Sequence, residues 1–180
     1  MMDETEAISR CLAGERGAFE FIVNKYQSGL LTLAWSILGN REEAMDAAQD
    51  ALVRAYMNLK TFNPKKNFRN WIYSIAYHRC LDCRRKEKLS KRYLQRASRE
   101  LQSNSADNGQ ERQLEEFEYL NAILQRLNER ERLAFSLTVN DGYTASEVAS
   151  VLGCAESSAR VYLFNAKRKL KKFLERNDHV

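Results

Sequence analysis

Apolar side chains recur every three or four positions along most of this chain. Between Ala18 and Leu38 they fall at Phe19, Ile22, Val23, Tyr26, Leu30, Leu33, Ala34 and Ile37, the spacing of one face of an α-helix. Gly39-Asn40 is a stop signal. From Arg41 to Leu59 the pattern restarts, with Ala44, Ala47, Ala48, Ala51, Leu52, Ala55, Tyr56 and Leu59 on one side. Glu42, Glu43, Asp46, Gln49, Asp50 and Arg54 occupy the other. The single proline, Pro64, falls in the break 61–67. A third helix is expected from Phe68 to Lys88, rich in aromatics at Phe68, Trp71, Tyr73 and Tyr77.

The pattern then lapses. Residues 98–113 carry almost no apolar side chain and read as a flexible polar linker. Helical spacing resumes at Leu114, Phe117, Leu120, Ile123, Leu124 and Leu127. The expected fold is therefore all-α, two small helical domains over 1–96 and 114–180 joined by a flexible polar linker, 97–113.

The most specific spacing lies near the C-terminus. A helix from Leu133 to Asn140 should end at Asp141-Gly142, where glycine supplies a left-handed cap. Thr144-Ala-Ser-Glu147 has the form of a capping box and should start a helix over Ala145 to Leu152. Ala149 is small where a second helix must cross, and Gly153 follows four residues later for the tight turn. Ala159 and Leu163 give the next helix its buried side. This register is that of a helix-turn-helix over roughly 142–174. Ser157, Ser158, Arg160, Tyr162 and Asn165 fall on its outer side, followed by Lys167 and Arg168.

Composition narrows the function classes. One proline and seven glycines suit long helices with short connections. No apolar run approaches a membrane span, and the acidic N-terminus lacks the order of a signal peptide. A soluble, cytoplasmic protein with no membrane insertion is expected. The net charge of +5 is modest but unevenly spread. Residues 1–50 hold nine acidic and four basic side chains, whereas 84–99 holds eight basic and one acidic, and 160–176 seven basic and one acidic. Two separate basic blocks suit two contacts with a polyanion; solvated helix faces are the plainer alternative. The helix-turn-helix pattern and the charge together favour DNA.

Cysteines stand at 11, 80, 83 and 154. Cys80 and Cys83 form a C-x-x-C, but zinc needs four converging ligands and a redox motif wants a strand-to-helix setting. Helix-interior cysteines are the expectation, with no metal and no cofactor. Paired acids, a nucleophile with its base and a phosphate loop are all missing from the sequence, so the protein is not expected to be an enzyme.

Three stretches carry a family resemblance. Asp46-Ala-Ala-Gln49-Asp50-Ala-Leu-Val-Arg54-Ala55-Tyr56 resembles D-x-x-Q-E-x-F-x-R-A-W. Phe68-Arg-Asn-Trp71-Ile-Tyr-Ser-Ile-Ala76, with Leu81-Asp82-x-x-Arg85, resembles F-R-x-W-L-x-x-I-A and its continuation. Leu127 to Arg132, Gly142 to Ala149 and Leu152-Gly153 resemble a third motif. In this order they resemble regions 2.2, 2.3–2.4 and 4 of bacterial extracytoplasmic-function (ECF) sigma factors, over roughly residues 5–175.

The resemblance implies a sigma factor that directs core RNA polymerase to specific promoters. A region 2-like bundle would dock on the clamp of the largest catalytic subunit through Asp46, Gln49, Asp50 and Arg54. That bundle would also recognise and open the −10 element. Phe62, Asn63, Lys65, Lys66 and Asn67 in the loop, and Arg69, Asn70, Tyr73, Tyr77, Arg84 and Arg85 on the helix, are the implied −10 contacts. Stacking on aromatic rings can trap unpaired bases. The region 4-like helix-turn-helix would read the −35 duplex through Ser157, Ser158, Arg160, Tyr162, Asn165, Lys167 and Arg168. Promoter DNA and core polymerase are the implied partners, and an anti-sigma protein is a further one that the family admits.

The sequence departs from the family pattern in places. Asp50 stands for the usual glutamate, Tyr56 for tryptophan, Asn128 for proline and Ala155 for the helix-capping serine. Val161-Tyr162 replaces a polar pair and Phe164-Asn-Ala166 replaces H-R-A, which bears on −35 preference. Two other readings compete: a stand-alone helix-turn-helix regulator, and a protein-interaction module derived from a sigma factor.

Overall fold

In the computed structural model, residues 2–97 and 123–177 are described, the side chains through 90 and from 123 to 175. The expected linker and the periodic stretch from Leu114 to Leu120 lie outside the described residues. Among the described residues, only helices and turns occur.

The chain opens with α1, Glu4–Leu12, which hydropathy spacing had not suggested. Asp3 caps it by accepting the Glu6 N–H at 2.7 Å, and Ala7 and Ile8 are buried. Helix α2, Phe19–Leu38, ends at Gly39 with φ of 75°. Asn40 then accepts the Glu43 N–H at 3.0 Å and starts α3, Arg41–Met57. Glu42 and Glu43 sit in its first turn, where carboxylates favour the helix dipole. Its inner side is built of Ala44, Ala47, Ala48, Ala51 and Ala55. These small side chains let α3 lie close against α2 and the following helix. That helix, α4, spans Phe68–Ala97, nine residues beyond the apolar pattern. The basic stretch past Lys88 continues the helix on propensity, since Lys, Arg, Glu and Leu all favour it.

The second unit follows the expected punctuation closely. Helix α5, Glu129–Asp141, starts earlier than the apolar spacing indicates. Asn128 and Glu131 form a capping box there, so asparagine substitutes for the family's proline with a different device. Gly142, at φ of 68°, ends α5. Thr144 and Glu147 form the second capping box, opening α6, Ala145–Leu152. Gly153, at φ of 62°, makes the turn into α7, Glu156–Asn177. Val148, Ala149, Val151, Leu152 and Ala159 are buried between them.

The two units share one core. Leu133, Leu137, Tyr143 and Val148 join the cluster that holds Leu30, Leu33, Ile37, Ile72 and Tyr73. Helix α5 packs on α2, and α6 on α4. A charged residue sits in this seam: Arg132 is only 3% exposed. Its guanidinium donates to the carbonyls of Leu124 (2.8 Å), Leu127 (3.0 Å), Ile37 (3.2 Å) and Ser36 (3.4 Å). Ser36 and Ile37 belong to the last turn of α2, whose carbonyls have no partner within the helix and attract a cation. Burial pushes the Arg132 pKa down to about 10, which still leaves it charged at neutral pH.

Arg132→Met keeps the volume and removes the donors. It should lower unfolding stability by about 2–4 kcal/mol, because buried carbonyls lose charged partners. Urea denaturation followed by circular dichroism measures this, and an unchanged midpoint would refute it.

Candidate nucleic-acid interface

Three surfaces hold the residues singled out in the sequence. The first is the outer side of α3. Asp46, Gln49 and Arg54 are exposed there and Asp50 is half-buried. Asp50 accepts from Arg54 Nε at 3.0 Å and is also ion-paired with Arg79 of α4. It therefore fixes α3 to α4 while presenting Arg54. Between these polar groups stand exposed Met45, Val53, Tyr56 and Met57, apolar side chains that helical amphipathicity would put inside. A polar face studded with exposed methionine and valine suits a protein partner.

The second surface is the loop before α4 with the start of that helix. Phe62 is half-buried and meets Phe68 and Trp71 at 5.0 and 5.2 Å between ring centroids. This aromatic cluster anchors the loop, leaving Asn63, Lys65, Lys66 and Asn67 exposed. Asn63 accepts the Lys65 N–H, and Asn67 caps α4 by accepting the Asn70 N–H. Beneath the loop lies a cavity of about 680 Å³ bordered by Lys25, Tyr26, Gly29, Lys66, Asn67 and Tyr73, among others. Burial and a hydrogen bond to Glu4 raise the pKa of Tyr26, so its hydroxyl stays protonated.

Farther along α4 the candidates turn toward the second unit. Arg69 Nη2 donates to the Asp141 carbonyl at 2.6 Å and to its carboxylate at 3.3 Å. The Tyr73 hydroxyl donates to the same carboxylate at 2.6 Å. Arg69 lies over the Tyr143 ring, 4.3 Å from its centroid. Tyr77 is buried, and Arg84 pairs with Glu129 at 3.2 Å. Arg85 and Asn70 remain on the first unit, Arg85 exposed beside Asp82. Gly29 lets the Tyr73 hydroxyl lie against α2, since a Cβ there would collide with it. The seam thus covers four of the implied −10 contacts.

The third surface is α7. Ser157, Arg160, Val161, Phe164, Lys167 and Arg168 are exposed, spaced along one outward stripe. Arg160 donates twice to Glu156, at 2.6 and 3.1 Å. Tyr162 is turned away from this stripe; half-buried, its hydroxyl accepts from Arg130 at 2.9 Å. Ser158 and Asn165 are half-buried at the stripe's border. Ala155 precedes the helix with no side-chain oxygen to cap it.

Cys80 and Cys83 lie within α4, and Cys83, like Cys11 and the turn residue Cys154, is half-buried. Cys80 is fully buried, and burial pushes its thiol up to about 12. No group of His, Cys, Asp and Glu spaced for a metal occurs among the described residues.

Asp141, Glu129, Arg132 and Tyr143 escaped the sequence reading. Asp141 did carry a signal. A carboxylate in the last turn of a helix opposes the dipole, so it calls for a cationic or hydroxyl partner.

Two family models match the chain one after the other. Sigma-70 region 2 matches residues 22–90 and Sigma-70 region 4 matches residues 117–170. The ferric citrate uptake sigma factor FecI of Escherichia coli is 31% identical over 150 residues, 82% of this chain and 86% of that protein. The chain belongs to the extracytoplasmic-function sigma factors of the sigma-70 family. The ECF sigma factor SigW of Bacillus subtilis is 38% identical over 81 residues, 45% of this chain and 43% of SigW. Among solved structures, CnrH in complex with the cytosolic domain of CnrY shares the fold, with a TM-score of 0.70 at 22% identity. That match covers 94% of this chain and 95% of CnrH. As a sigma factor, this protein is a non-catalytic initiation factor that binds core RNA polymerase and promoter DNA. The region 2 match sets it apart from a stand-alone helix-turn-helix regulator.

Asp141→Ala removes the carboxylate that accepts from Tyr73 and Arg69, and keeps the backbone carbonyl that Arg69 also holds. It should shift this sigma factor toward separated units by about tenfold, the worth of one charge-assisted hydrogen bond at ~1.5 kcal/mol. Small-angle scattering and a fluorescence distance between α4 and α6 measure the opening. An unchanged distance distribution would count against the Asp141 contact as a latch.

Proposed function

We propose that three surfaces of this ECF sigma factor divide the work of initiation, over domains 1–96 and 114–180 with a tether at 97–113. The outer side of α3, with Asp46, Gln49, Asp50 and Arg54, docks on the clamp of the largest polymerase subunit. The exposure of Met45, Val53 and Met57 beside these groups supports this reading, since apolar contact supplies affinity and the polar groups supply register.

The loop and the first turns of α4 receive the opened −10 strand. Lys65, Lys66 and Arg85 steer the backbone, and the cavity beneath the loop is the room for an unstacked base. Phe62 holds the loop through its ring contacts instead of stacking on DNA. Asn63 and Asn67 shape the loop, and their remaining polar atoms face the strand. Asn70, Arg69, Tyr73, Tyr77 and Arg84 join as contacts once α5 and α6 leave α4. Two weakly held units then gain affinity together through the tether, provided it spans both promoter elements.

Helix α7 reads the −35 duplex with Ser157, Arg160, Lys167 and Arg168, while Ser158 and Asn165 border the contact. Tyr162 instead holds Arg130 and steadies the helix. The single observation that carries this function is the outward stripe of α7, on which Arg160, Lys167 and Arg168 are exposed. The protein acts where polymerase acts, in the cytoplasm.

CnrH is solved with the cytosolic domain of CnrY, and the Bartonella quintana sigma factor RpoE with the anti-sigma factor NepR. A comparable anti-sigma protein is a further partner for this chain, and one that prefers the closed arrangement would hold the seam shut.

Run-off transcription with core polymerase and a genomic promoter pool tests the reading directly. Defined start sites are expected; no polymerase association would sink it. Val53→Asp, on an exposed position, should weaken core binding at least tenfold with no change in thermal midpoint, as read by fluorescence anisotropy and melting. Lys65→Ala with Lys66→Ala should slow open-complex formation and flatten the salt dependence of binding, by about 0.7–0.9 in slope per lost phosphate contact. Permanganate footprinting and salt titration check this. An unaltered slope would remove these lysines from the strand contact.

A further inference from the structure

The outward stripe of α7 contains two apolar side chains among its cations. Val161 is 54% exposed and Phe164 is 64% exposed. Neither packs against either buried cluster, although their neighbours Tyr162 and Leu163 do. Arg168 lies over the Phe164 ring, 5.7 Å from its centroid, and holds the ring on the stripe. Arg160, Lys167 and Arg168 flank the pair and are exposed. Among the described residues, neither this valine nor this phenylalanine contributes to a buried cluster.

Duplex DNA offers one apolar group at the base edges of the major groove, the C5-methyl of thymine. The surrounding cations match the phosphates on both sides of that groove. Val161 and Phe164 are three residues apart, about 4.5 Å along the helix axis. One base-pair step is about 3.4 Å. Two methyl groups on neighbouring base pairs therefore fall within reach of the two side chains together.

We propose that Val161 and Phe164 are specificity-determining residues that contact thymine methyl groups at two neighbouring base pairs of the −35 element. The proposal rests on the reading of α7 as the −35 helix. It makes hydrophobic methyl contact a principal source of base preference at those two positions, with the cations supplying phosphate contact around them.

The test uses holoenzyme reconstituted from the full chain and core polymerase. Promoter duplexes randomised across the −35 window are selected for binding. The preferred duplex is then remade with deoxyuridine in place of each thymine, which deletes only the methyl. Thymine should dominate at two neighbouring base pairs, on either strand. Each uracil there should weaken binding about fourfold, the value of one methyl-sized group. Val161→Ser should abolish the uracil penalty at one position, and Phe164→Ala at the other. Both sites are exposed, so circular dichroism spectra should match the parent.

Three results would overturn the proposal, and they are distinguishable. If the holoenzyme selects a −35 sequence and Arg160→Ala weakens binding, but uracil carries no penalty, the methyl contact fails and the −35 reading stands. If Val161→Ser and Phe164→Ala leave sequence and penalty unchanged, the apolar pair serves a protein partner instead. If no −35 sequence is selected at all, both the proposal and the −35 reading fail.

Discussion

A buried guanidinium holds this structure in one piece. Arg132 leaves water almost entirely and is compensated by four carbonyls, two of them in the last turn of α2. A charge is costly to bury unless hydrogen-bonded, so the residue has few alternative homes. It is satisfied where α5 lies against α2, and the same contact positions Asp141 beside Tyr73 and Arg69. The aromatic contacts of Tyr143 follow from the same approach. Remove the compensation, and the carbonyls that end α2 face a seam with nothing to satisfy them.

The same seam bears on function. A sigma factor must engage polymerase and two promoter elements, yet four of the implied −10 contacts here are turned toward the second unit. If those residues are the −10 contacts, as proposed, −10 binding depends on how often the seam opens. A protein whose competent state is populated a fraction of the time shows an apparent affinity reduced by that fraction. The outer faces of α3 and α7 are exposed in the closed arrangement. On the proposed assignment of these faces, polymerase docking and −35 contact need no opening of the seam, whereas −10 engagement does.

Local chemistry explains why the helix-turn-helix is the best-specified part. Thr144 with Glu147 and Asn128 with Glu131 satisfy the free N–H groups of short helices, and Gly142 and Gly153 take the left-handed turns. Each device works through residues three or four apart, so each is visible in the chain order. The tighter choices on α7 are different in kind. Tyr162 and Val161 are neighbours in sequence, but one bends inward to Arg130 and the other points out. Only the docking of α7 on α5 and α6 sets which faces outward.

By itself the sequence determined the course of α2, α3 and α6, the capping box of Thr144 with Glu147, the turn glycines at 39, 142 and 153, and the family. These depend on periodicity and on neighbours within one helical turn, which residue order encodes directly. The extent of α4 beyond Lys88 and the formation of α1 were less legible, because neither is marked by a long apolar stripe. The seam was not legible at all. Glu129, Arg132, Asp141 and Tyr143 find partners 41 to 96 residues away in the chain, and no local pattern specifies such pairings. The tertiary structure decided that Arg69, Tyr73, Tyr77 and Arg84 face protein in this state, because burying the apolar sides of α2 and α5 together is what brings those distant groups within hydrogen-bonding reach.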